Sequence, residues 1–345
     1  MLADGLDVVI GVDTHKRMHA AAVVSATGAV LERVSVPADP AGYRRLAALG
    51  AGYGRRVWAV EGTGSYGAGL TTLLLSRGER VVEVDRPARP PRRAGVKTDD
   101  VDAVRAARQA LSGEGTSEPR CRGHREAIRV LLTTRAQVIG FRTQAIASLH
   151  ALVTTAPDSI RERLRHLPLG ALVHACSALR RSGRQSAEEF ATTMALRATA
   201  RRITSFDSEA RQLETQLRDL VAQLAPILLQ AAGVGPVVAG QVIVSWSHRG
   251  RVRSEAAFAK LAGAAPIEAS SGSIVRHLLS RSGDRQLNRA LHTIVLTRVR
   301  RDPATRAYIA RRTAEGKTMR EIKRCLKRYI ARQLYRELER TTAGS

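Results

Sequence analysis

Three short β-strands are predicted by residues 8–36, which read VVIGVDTHKRMHAAAVVSATGAVLERVSV. Residues 8–12 and 20–24 are apolar runs, and a turn at Gly28 follows the second run. Residues 30–36 alternate apolar and polar side chains, which is typical of a half-exposed strand. Because only short turns separate the three runs, the pattern favours an antiparallel meander.

The remainder of the first hundred residues alternates helix and strand signals, which predicts an α/β domain. The predicted elements are a helix over 40–49, a strand over 57–60, a helix over 70–75, a strand over 81–84 and a helix over 98–111. Residues 86–97 are rich in Pro and Arg, and they are predicted to form an exposed basic loop.

Helical patterns dominate the chain after residues 112–123, a polar, Gly-containing segment that is predicted to be a linker. A long helix is predicted over 128–153, and a later apolar seam recurs in alternating steps of four and three residues. The seam consists of Phe206, Ala210, Leu213, Leu217, Leu220, Leu224 and Ile227. This period is typical of a coiled coil, whose partner is either the 128–153 helix or a second copy of the chain.

The last region is predicted to be mainly helical, with one irregular stretch at residues 266–273. The final helix is predicted to bury Ile322, Cys325, Leu326, Tyr329, Ile330 and Leu334. Its other face is basic, and it either lies against a phosphate backbone or is solvated. We expect an α/β plus α architecture of three domains, at residues 1–112, 124–227 and 228–345.

The chain is strongly basic, with 56 Lys and Arg residues against 31 Asp and Glu residues and a formal net charge of +25. A field of this size attracts polyanions, so nucleic acid is the expected partner. Only 3% of the residues are aromatic, whereas proteins that hold single strands by stacking need aromatic platforms. We therefore expect contacts made mainly by charge and by hydrogen bonds to phosphates.

A membrane partner is disfavoured because no apolar run reaches the ~18–20 residues needed to span a bilayer. The first seven residues lack the basic region of a signal peptide. Cys121, Cys176 and Cys325 are widely separated and fit neither a disulfide framework nor a zinc site. These features predict a reduced, cytoplasmic protein.

Four carboxylates stand out by position. Asp13 ends the first strand and Glu61 ends the fourth, whereas Asp99 and Asp102 share a face near the start of a helix. Carboxylates in such places can converge at one edge of a sheet, where they repel one another unless they hold cations. Two Mg²⁺ ions roughly 4 Å apart can activate a nucleophile and stabilise the leaving oxygen of a phosphodiester. Mg²⁺ is therefore the predicted cofactor, with Mn²⁺ as an alternative.

Each acid also has a simpler interpretation. Asp13 could be a turn residue, Glu61 a loop acid and Asp99 an N-cap, while Asp102 could favour the helix N-terminus electrostatically. Asp100 could replace Asp99 as a ligand, although its i,i+2 relation to Asp102 points it elsewhere on a helix. Their occurrence together in a strongly basic chain favours the metal cluster.

Three motifs carry a resemblance to a known family: Gly11-Val-Asp-Thr-His-Lys16, Glu61-Gly-Thr-Gly64 and Lys97-Thr-Asp-Asp-Val-Asp-Ala103. They resemble the N-terminal motifs of the DEDD transposases of the IS110 insertion-sequence family. The resemblance implies a RuvC-like, RNase H-type nuclease domain with a mixed sheet. It also implies the same acidic quartet, Asp13, Glu61, Asp99 and Asp102.

Residues 228–241 read LLQAAGVGPVVAGQ, in which a Gly-Val-Gly turn separates two helical patterns. This arrangement is typical of a helix–hairpin–helix motif. The turn at Gly233 and Gly235, with the N-terminus of the second helix, would present free N–H groups to a phosphate. The alternative is a tight turn between two packed helices.

A second candidate site is the serine-containing stretch 263–273, GAAPIEASSGS, which precedes Arg276, Arg281 and Arg285. Chemistry alone does not single it out, since Ser-Ser-Gly is common in loops. The Pro-x-x-x-Ser-Ser-Gly run and the later GDRQLNRAL stretch resemble the C-terminal transposase domain of the same family. That resemblance implies that Ser270, or less readily Ser271, attacks DNA and forms a phosphoserine link. The three arginines would then contact nucleic acid.

Together these features predict a transposase or site-specific recombinase that cuts and rejoins double-stranded DNA as a homodimer or homotetramer. The resemblance further implies a structured guide RNA, a bridge RNA, that pairs with donor and target DNA. Two alternatives remain open. One is a metal-dependent, junction-resolving nuclease in which Ser270 is structural, and the other is a non-catalytic nucleic-acid-binding protein with degenerate acids.

Overall fold

The structure is a computed structural model that describes residues 5–84, 99–113, 115–180, 185–268, 277–279 and 283–341, without the side chains of 99, 100, 267, 268, 277–279 and 341. The chain divides into two compact units. We call them the N-terminal unit, Met1–Cys121 with Ser247–Arg253, and the helical unit, Arg122–Trp246 with Ser254–Ser345.

The N-terminal unit contains a mixed six-stranded sheet in the order β3-β2-β1-β4-β5-β6. Its strands are β1 (Val8–Thr14), β2 (Met18–Ser25), β3 (Val30–Pro37), β4 (Arg56–Glu61), β5 (Val81–Val84) and β6 (Thr116–Ser117). The first three strands pair antiparallel, which confirms the predicted meander. β4 pairs parallel with both β1 and β5, and β6 returns antiparallel to β5.

Helices cover both faces of this sheet. They are α1 (Pro40–Ala51), α2 (Ala68–Ser76) and α3 (Asp99–Ser112), and each was predicted within a few residues of its observed bounds. Successive strand residues point to opposite faces, so Ile10 and Trp58 pack with Leu46 of α1 in one buried cluster. Val9 packs with Ala107 of α3 in the cluster on the other face.

The prediction that residues 112–123 form only a linker is wrong in part. Thr116 and Ser117 make β6, which pairs with Val84 and Glu83 of β5. A two-residue strand is too short to produce a recognisable alternation, so its pattern could not be distinguished from that of a loop. The predicted basic loop at residues 86–97 lies outside the described residues.

Ten helices and a short hairpin are described in the helical unit. They are α4 (His124–Thr154), α5 (Asp158–Leu164), α6 (Leu169–Ser177), α7 (Ala187–Leu224), α8 (Pro226–Gln230), α9 (Pro236–Trp246), α10 (Glu255–Leu261), α11 (Arg285–Arg301), α12 (Pro303–Ala314) and α13 (Met319–Thr341), with strands β7 (Pro266–Glu268) and β8 (His277–Leu279).

The long helices α4 and α7 pack against each other within the chain, as one of the two interpretations of the apolar seam predicted. Phe141 of α4 and Phe206 of α7 lie 6.1 Å apart between ring centroids, and Arg142 Nε donates to Asp207 Oδ1 at 2.5 Å. The last seam residue, Ile227, belongs to α8 instead of α7. A seam between two copies of the chain remains a prediction.

Two expectations for the last region are corrected. Residues 266–273 were expected to be irregular, but Pro266–Glu268 forms β7 and pairs antiparallel with β8. Tyr329 was expected in the core face of the final helix, but it is 57% exposed. Residue 329 lies at the margin of the apolar stripe, whose centre is marked by buried Ile322 and Ile330. Among the described residues, no helix is both long and apolar enough to cross a membrane.

Candidate active site

The first two acids of the predicted quartet lie at the carboxyl ends of neighbouring parallel strands. Val12 of β1 is paired with Val60 of β4, so Asp13 and Glu61, the next residues, end side by side. Strand alternation puts Asp13 on the same face as Val9 and Glu61 on the same face as Val57, which is the face that α3 covers. Both carboxylates therefore point towards α3.

A glycine in β1 allows α3 to lie directly on the sheet. A Cβ atom on Gly11 would be 2.1 Å from the Ala103 carbonyl oxygen and 2.6 Å from the Ala107 nitrogen. No side chain fits in that space unless α3 moves. Because Asp102 directly precedes Ala103 in α3, the close approach at Gly11 also brings Asp102 to the strand-end acids.

The pKa of Asp13 reflects its burial and its proximity to the other two acids. Only 5% of Asp13 is exposed, and burial is the main reason that its pKa is raised from the ordinary value of 3.8. The nearby charges of Glu61 and Asp102 raise the pKa further, whereas His15 lowers it. The His15 Nε2 atom lies 3.1 Å from Asp13 Oδ2. Three acids from three elements thus share one electrostatic environment.

Two residues beside Asp13 contribute to this site although sequence reasoning did not single them out. Thr14 Oγ1 donates a hydrogen bond to the Glu61 carbonyl oxygen at 2.8 Å, which ties the ends of β1 and β4 together. His15 contacts the Asp13 carboxylate. The available signal was their position directly after an acid that ends a buried strand.

The remaining members of the quartet are less completely described. Asp99 begins α3, one helical turn before Asp102, but its side chain and that of Asp100 lie outside the described set. Asp102 accepts a hydrogen bond from Arg105 Nη1 at 2.7 Å. Among the described side chains, no group of three or more His, Cys, Asp or Glu residues has the arrangement of a metal site. The quartet as a metal centre therefore remains a prediction.

The chemistry of the donors present nevertheless fits a hard divalent cation. Asp13, Glu61 and Asp102 offer only carboxylate oxygens, which are the ligands that Mg²⁺ prefers. The charges of Glu61 and Asp102 raise the pKa of Asp13, and a bound cation would relieve that repulsion.

The Gly-Val-Gly turn of the predicted helix–hairpin–helix, residues 228–241, lies between α8 and α9 in the helical unit, and its role in binding phosphate remains a prediction. Gly233 has a φ of +78°, and a Cβ atom there would lie 3.2 Å from the Ile294 carbonyl oxygen of α11. Gly233 is therefore required by the turn and by its packing on α11. A Cβ atom on Gly235 would meet nothing within 4 Å.

This turn lines a groove of about 1380 Å³ within the helical unit, together with residues of α4 and α11. The basic side chains of the groove are Arg129, Arg135, Arg289, Arg298 and Arg301, and the acidic ones are Glu214, Asp284 and Asp302. Asp284 caps α11 by accepting hydrogen bonds from the Gln286 and Leu287 nitrogens. The predicted contact residue Arg285 is exposed at the start of α11, but it does not line the groove.

Two family models match the chain. The first, for DEDD transposases of the IS110 type, covers residues 10–156, and the second, described as the transposase IS116/IS110/IS902 family, covers residues 225–310. The chain belongs to the IS110 family of transposases. The resemblance drawn from the sequence motifs is thereby confirmed.

Two curated relatives of this transposase agree with the assignment. The insertion element IS110 uncharacterized 43.6 kDa protein of Streptomyces coelicolor is 35% identical over 119 residues, which span 34% of this chain and 29% of that protein. The insertion element IS900 uncharacterized 42 kDa protein of Mycobacterium paratuberculosis is 26% identical over 361 aligned positions, which span 89% of each chain.

The matched segments contain both candidate sites of the transposase. Residues 10–156 include Asp13, Glu61, Asp99 and Asp102, and residues 225–310 include the Gly-Val-Gly turn and the serine stretch. Ser270, Ser271, Arg276 and Arg281 lie outside the described residues. Their roles remain predictions, because the structure describes only the flanking strands β7 and β8.

Proposed function

We propose that this transposase cuts and rejoins DNA strands during the movement of an insertion sequence, with an acidic metal centre and a nucleophilic serine. The observation that carries the proposal is the convergence of Asp13, Glu61 and Asp102 from β1, β4 and α3, where burial and the neighbouring charges raise the pKa of Asp13. A buried acid that neighbouring acids repel lowers the stability of the folded protein, and a cation bound between the acids would remove that repulsion and bind the substrate phosphate.

In this proposal the N-terminal unit is a RuvC-like nuclease fold, and Asp13, Glu61, Asp99 and Asp102 hold the cation. When bound, Mg²⁺ would supply electrostatic stabilisation to the charge that develops on the scissile phosphate. Thr14 keeps the ends of β1 and β4 in register through its hydrogen bond to the Glu61 carbonyl oxygen. His15, whose side chain is half-exposed, would orient the Asp13 carboxylate through the contact between Nε2 and Oδ2.

The covalent step is assigned to Ser270. Its Oγ atom would attack the phosphorus, lose its proton and form a phosphoserine ester, while the bond from phosphorus to one deoxyribose oxygen breaks. That oxygen takes up a proton and leaves as a hydroxyl. Attack by the hydroxyl of another strand on the phosphoserine would reverse these changes and rejoin the DNA. Arg276 and Arg281 would stabilise the charge on the phosphate during both steps.

The nucleic-acid partners follow from charge and from family membership. The net charge of +25 and the groove beside the Gly-Val-Gly turn suit a phosphate backbone. We propose double-stranded donor and target DNA as substrates and a structured bridge RNA as the guide. The acting species would be a homodimer or homotetramer, with a nuclease domain at 1–112, a helical spacer at 124–227 and a serine domain at 228–345.

The test is to trap the covalent intermediate. The transposase is expressed in bacterial cells with a plasmid that carries its complete insertion sequence and flanking DNA, and adducts are recovered after denaturation. We expect a protein–DNA adduct whose phosphorylated residue is Ser270 by mass spectrometry. Ser270→Ala should abolish both adduct and excision, whereas Ser273→Ala, in the same segment, should preserve both.

The acids are tested in the same cells. Asp13→Ala should abolish adduct formation, whereas Asp219→Ala, which removes an exposed acid of α7, should not. Cleavage that persists in Ser270→Ala without an adduct would replace the proposal with the junction-resolving nuclease. Rearrangement unaffected by Asp13→Ala would leave a nucleic-acid-binding protein whose acids have no catalytic role.

A further inference from the structure

Two of the six tyrosines of this chain form a pair on the surface of the helical unit. Tyr308 of α12 and Tyr329 of α13 have ring centroids 5.9 Å apart and an interplanar angle of 84°. Tyr329 is 57% exposed, more than any other large hydrophobic or aromatic residue among those described. An exposed aromatic ring held by a second ring is a rigid surface, because each ring restricts the rotation of the other.

Two arginines lie beside the Tyr308 ring, and both also pair with Glu315. The guanidinium carbons of Arg311 and Arg312 lie 5.5 Å and 5.9 Å from the centroid of the Tyr308 ring. Arg328, the neighbour of Tyr329 in α13, is exposed. Cations beside an exposed aromatic ring are the combination that binds an unpaired nucleotide, since the ring stacks on the base and the cations contact its phosphates.

One arginine, Arg298, lines both the surroundings of Tyr329 and the groove beside the Gly-Val-Gly turn. A recess of about 80 Å³ next to Tyr329 is lined by Arg298, Thr305 and Gln333, among others, and Arg298 also lines the large groove. Arg298 is fixed there because its Nε donates to the Ala232 carbonyl oxygen at 2.8 Å and its Nη1 donates to Gln333 Oε1 at 3.2 Å. A strand whose backbone lay along the groove would therefore meet, at Arg298, the recess that Tyr329 lines.

We propose that Tyr329, supported by Tyr308, is a stacking site for one unpaired nucleobase of a DNA or RNA strand that lies along the groove. In a duplex each base face is covered by its neighbours, so only an unpaired base can use the ring. The inference rests on the proposed function only in that the transposase binds nucleic acid. The composition of the chain predicts nucleic-acid contacts made mainly by charge, and the proposed stacking on Tyr329 is a contact of a different kind. Tyr329 lies outside both segments matched by the family models.

The test compares variants of the full chain in binding to fluorescein-labelled (dT)₂₀, (rU)₂₀ and a 20-base-pair duplex, measured by fluorescence anisotropy. Tyr329→Ala should weaken single-strand binding by about 5- to 150-fold, the range of one lost base–aromatic stack. Tyr329→Phe should stay within about twofold of the parent, because it keeps the ring. Phe190→Ala, which removes an exposed ring of α7, is the matched control and should change nothing.

The strand that shows the larger loss identifies the source of the base as DNA or RNA. Equal weakening of duplex and single-strand binding by Tyr329→Ala, or a loss in Tyr329→Phe equal to that in Tyr329→Ala, would overturn the stacking role. A second measurement uses only the parent protein, so misfolding of a variant cannot affect it. An oligonucleotide that contains 5-iodouracil should crosslink to Tyr329 or Tyr308. Crosslinks found only at other residues would overturn the site. A parent protein that binds no oligonucleotide would instead contradict the proposed function.

Discussion

Asp13 is only 5% exposed and lies near the charges of Glu61 and Asp102. We therefore expect its ionised carboxylate to lower the stability of the folded protein by a measurable amount. Its pKa is raised above the ordinary value of 3.8, so the folded protein binds the proton more tightly than the unfolded chain does. The stability that the protonated Asp13 contributes is therefore fully present when the pH is below the unfolded-state pKa of 3.8. It is lost as the pH rises through the folded-state pKa.

Asp13→Asn should therefore stabilise the protein at pH 7 when EDTA removes divalent cations, since the neutral amide avoids both desolvation and repulsion. We expect the melting temperature to rise by about 2–4 °C and the difference to disappear below pH 3.8. Added Mg²⁺ should raise the melting temperature of the parent protein more than that of the variant.

Asp219→Asn serves as the control for this comparison, because it neutralises an exposed acid of α7 and should leave the melting temperature unchanged. A lower melting temperature of Asp13→Asn in EDTA would mean that the contact with His15 outweighs burial and repulsion. The sign of the difference at pH 7 separates these outcomes, because the variant is less stable than the parent protein only if the contact with His15 dominates.

At the scale of elements, the position of α3 depends on the absence of a side chain at residue 11. Gly11→Ala would put its Cβ atom 2.1 Å from the backbone oxygen of Ala103, so α3 has to move away from β1 and take Asp102 with it. We expect a loss of about 1–3 kcal/mol in the free energy of unfolding, measured by urea denaturation, and no detectable excision activity.

Gly140→Ala is the matched control for Gly11→Ala. Gly140 lies within α4, and a Cβ atom there would meet nothing within 4 Å. Because Gly is a poor helix former, this change should stabilise the protein by roughly 0.5–1 kcal/mol and preserve activity. A Gly11→Ala protein as stable and active as the parent would show that α3 does not depend on this close approach.

The helices and strands differ in how well the sequence predicted them. Strands β1–β5 and helices α1–α3 could be predicted because their apolar periods extend over several residues, and the strand-end acids followed from those bounds. Strands β6, β7 and β8 were missed because two or three residues do not establish a period. The contact of His15 with Asp13 was missed because it depends on the path of a turn, which periodicity does not determine.

At the scale of the whole molecule, the net charge of +25 predicts opposite responses to salt in the free and the bound protein. In the free protein, salt screens self-repulsion, so the melting temperature should rise between 50 and 500 mM NaCl.

Binding to duplex DNA releases counterions, so a plot of log affinity against log salt concentration should have a slope of about −5 to −9 if six to ten phosphates are contacted. Arg289→Ala and Arg301→Ala, in the groove, should each reduce that slope by about 1. Arg165→Ala, which removes a cation paired with Glu162 outside the groove, should not. A slope unchanged by both groove variants would place the duplex on another surface of the transposase.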